Sequence, residues 1–215
     1  MGVSMQFQIL AGEPCLDFVN TLDNRATPGH ETELLENYSA LTEWAAQAGL
    51  ISVRQRRALL GLANSHPEQA QLVLRSAIKL RECLYRAFLR IVSDQPPALA
   101  DLALLGAYVA SSYSHLRLLP ADGIFRLGWS APAQRLDSVL WPVVKSAGEL
   151  LTSEDLERVR QCDVNTCRWF FVDRSKNHSR RWCDMKVCGN RVKARKFYGR
   201  SRKQASSRGQ SRSEA

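Results

Sequence analysis

Apolar residues recur at helical spacing over much of the first 160 positions. The strongest run covers residues 69–92. There Leu74, Ala77, Ile78, Leu84, Tyr85, Phe88, Ile91 and Val92 alternate with Arg75, Lys79, Arg81, Glu82, Arg86 and Arg90, the stripe of an amphipathic helix. Pro96-Pro97 ends it, and residues 99–113 read as the next helix. Upstream, Ser39 is placed to cap a helix that reaches Ala48 and is closed by Gly49, and Ser52 to cap one reaching Ala63. Ser65-His66-Pro67-Glu68 has the spacing of a capping box at the head of the long helix. Residues 15–23 carry Cys15, Leu16, Phe18, Val19 and Leu22 in the pattern of a short buried helix. Residues 6–10 read as a short strand broken by Gly12 and Pro14, and residues 25–33, with Pro28 and Gly29, as a loop.

After residue 113 the period changes. Residues 115–119 and 124–129 flank Pro120-Ala121-Asp122-Gly123 and predict a β-hairpin. Residues 132–151 fit a helix with an interruption at Pro142, and Thr152 suits the cap of a short one reaching Val159. No internal repeat is evident. The pattern predicts an α+β protein: a mainly helical N-terminal domain with a few short strands over residues 1–155, a small module over 156–200, and a tail over 201–215. The tail is rich in Ser, Arg and Lys, cannot bury a core, and is expected to be disordered.

Composition sharpens this division. A hydrophobic fraction of 45% suits a globular chain. No apolar run approaches the roughly 20 residues of a membrane helix, and the first ten residues lack a signal-peptide pattern, so a cytoplasmic protein is expected. The formal charge of +9 is unevenly spread. Residues 159–215 hold 16 Lys+Arg against 4 Asp+Glu, a balance of +12, and the remainder carries −3. The basic piece therefore calls for an acidic polymer as partner.

That piece also holds four of the six cysteines, as Cys162-x4-Cys167 and Cys183-x4-Cys188. In a reducing compartment, two short-spaced pairs are metal ligands more readily than disulfides, and four thiolates suit one tetrahedral structural Zn²⁺. Arg168 to Asp173 is β-prone, a turn follows, and Ser179 to Trp182 is placed to return as a second strand. His178 reads as a loop residue rather than a ligand. Zinc with four thiolates carries −2, so Arg180, Arg181 and Lys186 have a bracing role open to them. In the helix expected after Cys188, Val187, Ala194, Phe197 and Tyr198 share one face. Lys193, Lys196 and Arg200 lie opposite, with Arg191 and Arg195 on a flanking row. Arg180, Arg181, Arg191, Lys193, Arg195, Lys196 and Arg200 are thus the candidate nucleic-acid contacts, with DNA as the first partner. An RNA partner is the alternative, with Trp169, Phe170 and Trp182 stacking on bases. A zinc-scaffolded protein-interaction module is the third reading.

The run from Cys162 to Tyr198, with Cys188-Gly189-Asn190-Arg191 at its heart, closely resembles the CGNR zinc finger. The body resembles that family's companion ABATE domain through Cys15-Leu16-Asp17-Phe18-Val19-Asn20-Thr21 and through residues 41–50 with Trp44. The resemblance implies a treble-clef-like, DNA-binding finger joined to a mainly helical α/β domain of undefined role.

In that body Asp17, Asn20, Thr21 and Arg25 form a polar set that either lines a pocket for a small-molecule effector or caps helices and satisfies buried backbone. Cys15 and Cys83 read as buried thiols, and His30, His66 and His115 are too scattered to make a site. No Ser-His-Asp set, Walker loop, dinucleotide fingerprint or two-His zinc motif occurs, and four cysteines close a zinc sphere, so catalysis is not expected. Oligomeric state is left open.

Overall fold

The computed structural model describes residues 6–194 and residue 198. The element around which the body is built is α4 (Pro67–Ile91). Its Ala70, Leu74, Ala77, Leu80, Cys83, Leu84, Ala87 and Phe88 are buried in a continuous stripe, because positions three and four apart share a helix face. Against that stripe pack α1 (Pro14–Val19), α2 (Tyr38–Gln47), α3 (Val53–Ser65) and α5 (Leu99–Tyr113). α6 (Trp141–Leu151) closes over α1 and α5. Phe18 and Trp44, with ring centroids 5.2 Å apart, join α1 to α2 at the centre. No described helix is long and apolar enough to cross a membrane.

Several helix ends differ from the expected ones, each for a local reason. Asn37, not Ser39, caps α2: its backbone is extended and its side chain accepts the Ala40 N–H at 2.9 Å. Ser52 caps α3 as expected, in a capping box with Gln55. The box expected over Ser65–Glu68 does not form. The chain passes from α3 to α4 through His66 alone, so Ser65 is still helical and its hydroxyl donates back to the Gly61 carbonyl. Pro142 lies in the first turn of α6, where a proline needs no N–H, and so starts the helix instead of interrupting it. Two 3₁₀ turns, Pro132–Gln134 and Leu136–Leu140, precede it. Thr152 bonds back to the Gly148 carbonyl, and Ser153 takes the extended position before the 3₁₀ turn Glu154–Arg158.

Residues 6–10 are not a strand. Their donors go to side chains instead, Phe7 N–H to Gln47 and Leu10 N–H to Asp17, both at 2.8 Å. The 25–33 loop is pinched by a two-residue ladder, β1 (Leu22–Asp23) with β2 (Thr32–Glu33). β3 (Leu116–Ala121) and β4 (Ile124–Trp129) form the expected hairpin. Asp122 (φ 42°) and Gly123 (φ 82°) are both left-handed, the type I′ turn that Asp-Gly favours. A third ladder pairs β5 (Val159–Gln161) with β6 (Phe170–Val172).

Asp17 carries a pH consequence. It accepts the N–H groups of Leu10 and Ala11 at 2.8 and 2.9 Å, yet burial outweighs those bonds and pushes its carboxyl up to about 6. The folded chain thus holds this proton more tightly than the unfolded one. The stability it contributes is full below pH ~4 and is lost as pH rises through ~6. Asp17→Asn, which keeps the acceptor, is expected to remove that slope. In urea titrations it should gain on the order of 2 kcal/mol on the parent between pH 4 and 7. Parallel curves for the two chains would refute the assignment.

Candidate metal centre and its basic surface

The metal module begins with the first cysteine turn. Cys162 lies just past β5, and its N–H donates to the Trp169 carbonyl at 2.8 Å. The Cys167 N–H folds back on the Val164 carbonyl at 2.8 Å, and Arg168 takes a left-handed conformation (φ 60°) to leave the turn. The second cysteine turn is set by Asp184. Its side chain accepts the Val187 N–H at 2.7 Å and caps the wide turn Met185–Gly189, from which residues 190–194 continue as helix. Gly189 lies under the Met185 thioether and the Trp182 ring edge, where a Cβ would displace the sulfur.

These turns bring the four Sγ atoms of Cys162, Cys167, Cys183 and Cys188 within 4.8 Å of one another, all buried. Cys167 and Cys183 are 3.5 Å apart, and Cys183 and Cys188 3.7 Å. Tetrahedral zinc with Zn–S near 2.3 Å requires S···S of about 3.8 Å, so the cage fits the ion. Hydrogen bonds from the Cys167 and Cys183 thiols hold Cys162 far below the usual thiol range, while the same crowding raises Cys167 and Cys183. Four thiolates at this spacing coexist around a cation. With all four positions taken by sulfur, the centre is a structural one for a single Zn²⁺.

The strand arrangement differs from the expected one. Ser179 to Trp182 is not a strand. β6 pairs instead with β5, upstream of the first cysteine, in the register Val159↔Val172, Arg160↔Phe171 and Gln161↔Phe170. The loop between is held by Asp173, whose carboxylate accepts the Ser175 and Arg180 N–H groups at 2.9 and 2.8 Å. Burial raises this carboxyl, but those bonds outweigh it and keep it below the ordinary range. His178 Nδ1 lies 3.2 Å from the Asp173 carbonyl, away from the sulfurs.

Two of the three candidate stacking aromatics, Trp169 and Phe170, are buried, while Trp182 is half-buried. Phe170 and Phe171 are fully buried, and Trp169 is 8% exposed. The Phe170 ring packs 5.6 Å from Tyr85 and 6.1 Å from Phe88, so module and body share one core. The apolar face expected on the last helix is not buried as a unit. Val187 is 44% exposed and Ala194 is exposed, and the inward position belongs to half-buried Val192. Tyr198 is 67% exposed, and Phe197 lies outside the described residues.

The candidate cations divide into two sets. Arg180 donates to the Trp182 carbonyl at 2.9 Å and to the Cys183 carbonyl, with its guanidinium 4.5 Å from the Phe171 ring; it braces the second cysteine turn. Arg181 pairs with Asp163 at 2.6 Å across the two turns. Arg174, not singled out in the sequence, bridges Glu13, Asp155 and the Gly12 carbonyl. By contrast Arg168, Lys176, Lys186, Arg191 and Lys193 are exposed and make no ion pair among the described residues; Arg191 reaches only Thr166 Oγ1, at 3.5 Å. Arg195, Lys196, Arg200 and the 201–215 tail lie outside the described residues.

The polar set of the body is spread over separate tasks. Asn20 bonds both the carbonyl and the N–H of Phe170, at 2.9 and 3.0 Å, acting as a third strand's worth of partners for β6. Asp17 holds the 10–11 backbone, Thr21 donates to the Phe18 carbonyl, and Arg25 forms a two-pronged pair with Glu82 over the Tyr85 ring. Trp169 Nε1 donates to Asp23 at 3.0 Å, a further tie that no sequence signal foretold. Cys15 and Cys83 are buried, their thiols pushed up by burial to about 12 and about 11, which makes them inert.

Fold and site together define a helical domain fused to a four-cysteine structural zinc finger. The chain belongs to the ABATE family, whose model, described as a putative stress-induced transcription regulator, matches residues 12–154. The CGNR zinc finger model matches residues 158–201 and contains all four cysteines. No curated relative matches the chain. Both families are of regulator and zinc-finger type, not enzymes.

Proposed function

We propose that the protein is a cytoplasmic transcription regulator that binds duplex DNA through the basic surface of its zinc finger, with the helical body as a ligand-sensing or oligomerisation module. The observation that carries this reading is the division among the cations. Arg180 is committed to the metal turns and exposed Arg181 is paired with Asp163, whereas Arg168, Lys186, Arg191 and Lys193 are exposed around the same turns with no ion pair among the described residues, where phosphates could meet them. Zinc acts here by fixing Arg191 and Lys193 at the start of a helix. Lys196, Arg195, Arg200 and the basic tail extend the charge along the chain. The alternative, RNA held by base stacking, needs exposed aromatics; the burial of Trp169 and Phe170 weighs against it and leaves only half-buried Trp182 of the three.

Fluorescence anisotropy with duplex DNA across salt tests the reading. Lys193→Glu with Lys196→Glu is expected to weaken binding by at least about tenfold and to flatten the salt slope by about two ions. No binding at moderate salt, or binding indifferent to the double reversal, would defeat it.

A further inference from the structure

The β3–β4 hairpin leaves its most apolar surface in water. The register pairs Leu116 with Trp129, Leu118 with Leu127 and Pro120 with Phe125, which puts these six side chains on one face. That face carries no charge. Leu118 is 68% exposed, Phe125 71% and Leu127 62%, and Pro120 beside them is also exposed. The opposite face carries Arg117 and Arg126, with the Arg126 guanidinium lying over Gly128. The base of this same face is rooted on the body, the Trp129 ring lying 5.5 Å from Trp141 and 6.2 Å from Tyr113, and its outer part, Leu118, Pro120, Phe125 and Leu127, is what stays exposed.

We propose that this face is the interface of a symmetric dimer, covered by the same face of a second copy of this chain. Three features select that occupant. First, a two-stranded hairpin is marginal alone and gains most from a second apolar layer packed about 10 Å away. Second, Leu118, Pro120, Phe125 and Leu127 present on the order of 500 Å². Two such patches bury about 1,000 Å² in all, the lower end of a specific interface, which suits a concentration-dependent dimer. Third, a two-fold axis brings each patch onto its own image. Here that image is apolar at every position, so no like charges meet, while Arg117 and Arg126 stay on the outer sides. The tight Asp122-Gly123 turn fixes the face before association, so little order is lost on pairing.

The inference takes the oligomerisation half of the reading for the body. It does not require DNA binding, and its test contains no DNA, so either can fail without the other. Sedimentation velocity of the zinc-loaded full chain from about 1 to about 100 µM should show a monomer–dimer equilibrium. Phe125→Asp with Leu127→Asp, at positions too exposed to unfold the body, is expected to raise the dimer dissociation constant at least about 100-fold. Leu118→Lys should act in the same direction, and Arg126→Gln on the opposite face should leave the constant unchanged. Circular dichroism and zinc content serve as controls on folding. A parent chain that is monomeric at every concentration overturns the proposal, as does a dimer that survives the aspartate pair and Leu118→Lys.

Discussion

Removing zinc, by chelation or by Cys183→Ser, is expected to destabilise the whole chain and not only its last 50 residues. In an isolated finger the metal would order a small module and its loss would be local. Here β6 carries Phe170 and Phe171 fully buried, with Phe170 against Tyr85 and Phe88 of α4, and Asn20 spends its entire side chain on the Phe170 backbone. Val172 N–H donates to the Ala11 carbonyl at 2.8 Å, so the strand is also tied to the segment leading into α1. Structural zinc in fingers contributes about 10–16 kcal/mol of apparent binding free energy, and burying each phenylalanine roughly 2–3 kcal/mol. A loss of at least about 5 kcal/mol follows, or a fall in Tm of about 10–20 °C for a chain of this size. Scanning calorimetry with and without chelator measures it. A chelated chain that melts within a few degrees of the parent would show the body to be independent of the metal.

The second large effect is expected at Arg81. Its side chain is only 2% exposed, and three groups converge on its guanidinium. Glu33 takes Nη1 and Nη2 at 2.6 Å each, Glu82 takes Nε at 3.0 Å, and Thr21 Oγ1 lies 3.4 Å from Nη1. Burial would raise Glu82, but Arg25 and Arg81 outweigh it and hold it below its ordinary value. Its share of stability is therefore present above the unfolded carboxylate range and is lost as pH falls through the lower folded value. Arg81→Met removes the cation from Glu33, which is one-third exposed and still reached by water, and strips the buried site of four charge-assisted hydrogen bonds; a loss of about 2–3 kcal/mol is expected in denaturant titrations. Adding Glu33→Gln should recover part of that loss, since the uncompensated charge goes with it. A single variant within about 0.5 kcal/mol of the parent would show that the network contributes nothing.

Much of this architecture is written in local pattern. The long stripe on α4, the Pro96-Pro97 stop, the Asp122-Gly123 turn and the Ser52–Gln55 box each depend on residues within a turn or two of one another. The errors fall where two local solutions compete. Ser39 and Asn37 are both good caps, and only the chain's exit from the preceding loop puts Asn37 in the extended conformation. Ser179 to Trp182 has the right residues to return as a strand, but β6 is already paired by Val159–Gln161, a segment outside the cysteine run. The positive charge was legible in sum, while its division was not. Arg180 and Lys193 look alike as cations in the sequence, and only the fold turns one toward carbonyl groups and the other toward water.

Residue spacing alone was enough for the four-cysteine zinc site, because two short pairs and the chemistry of thiolates leave few other solutions. Periodicity was likewise enough for the mainly helical body, and composition for the concentration of charge at the C-terminal end. Long-range packing was needed to show that the finger is welded to the body, since Asn20 and Phe170 are 150 positions apart and no local signal links them. The same packing assigns some arginines to bracing the metal turns and leaves others facing water. It also leaves the outer part of one hairpin face exposed, because burial depends on what the rest of the chain packs against and not on the alternation of residues within the strands.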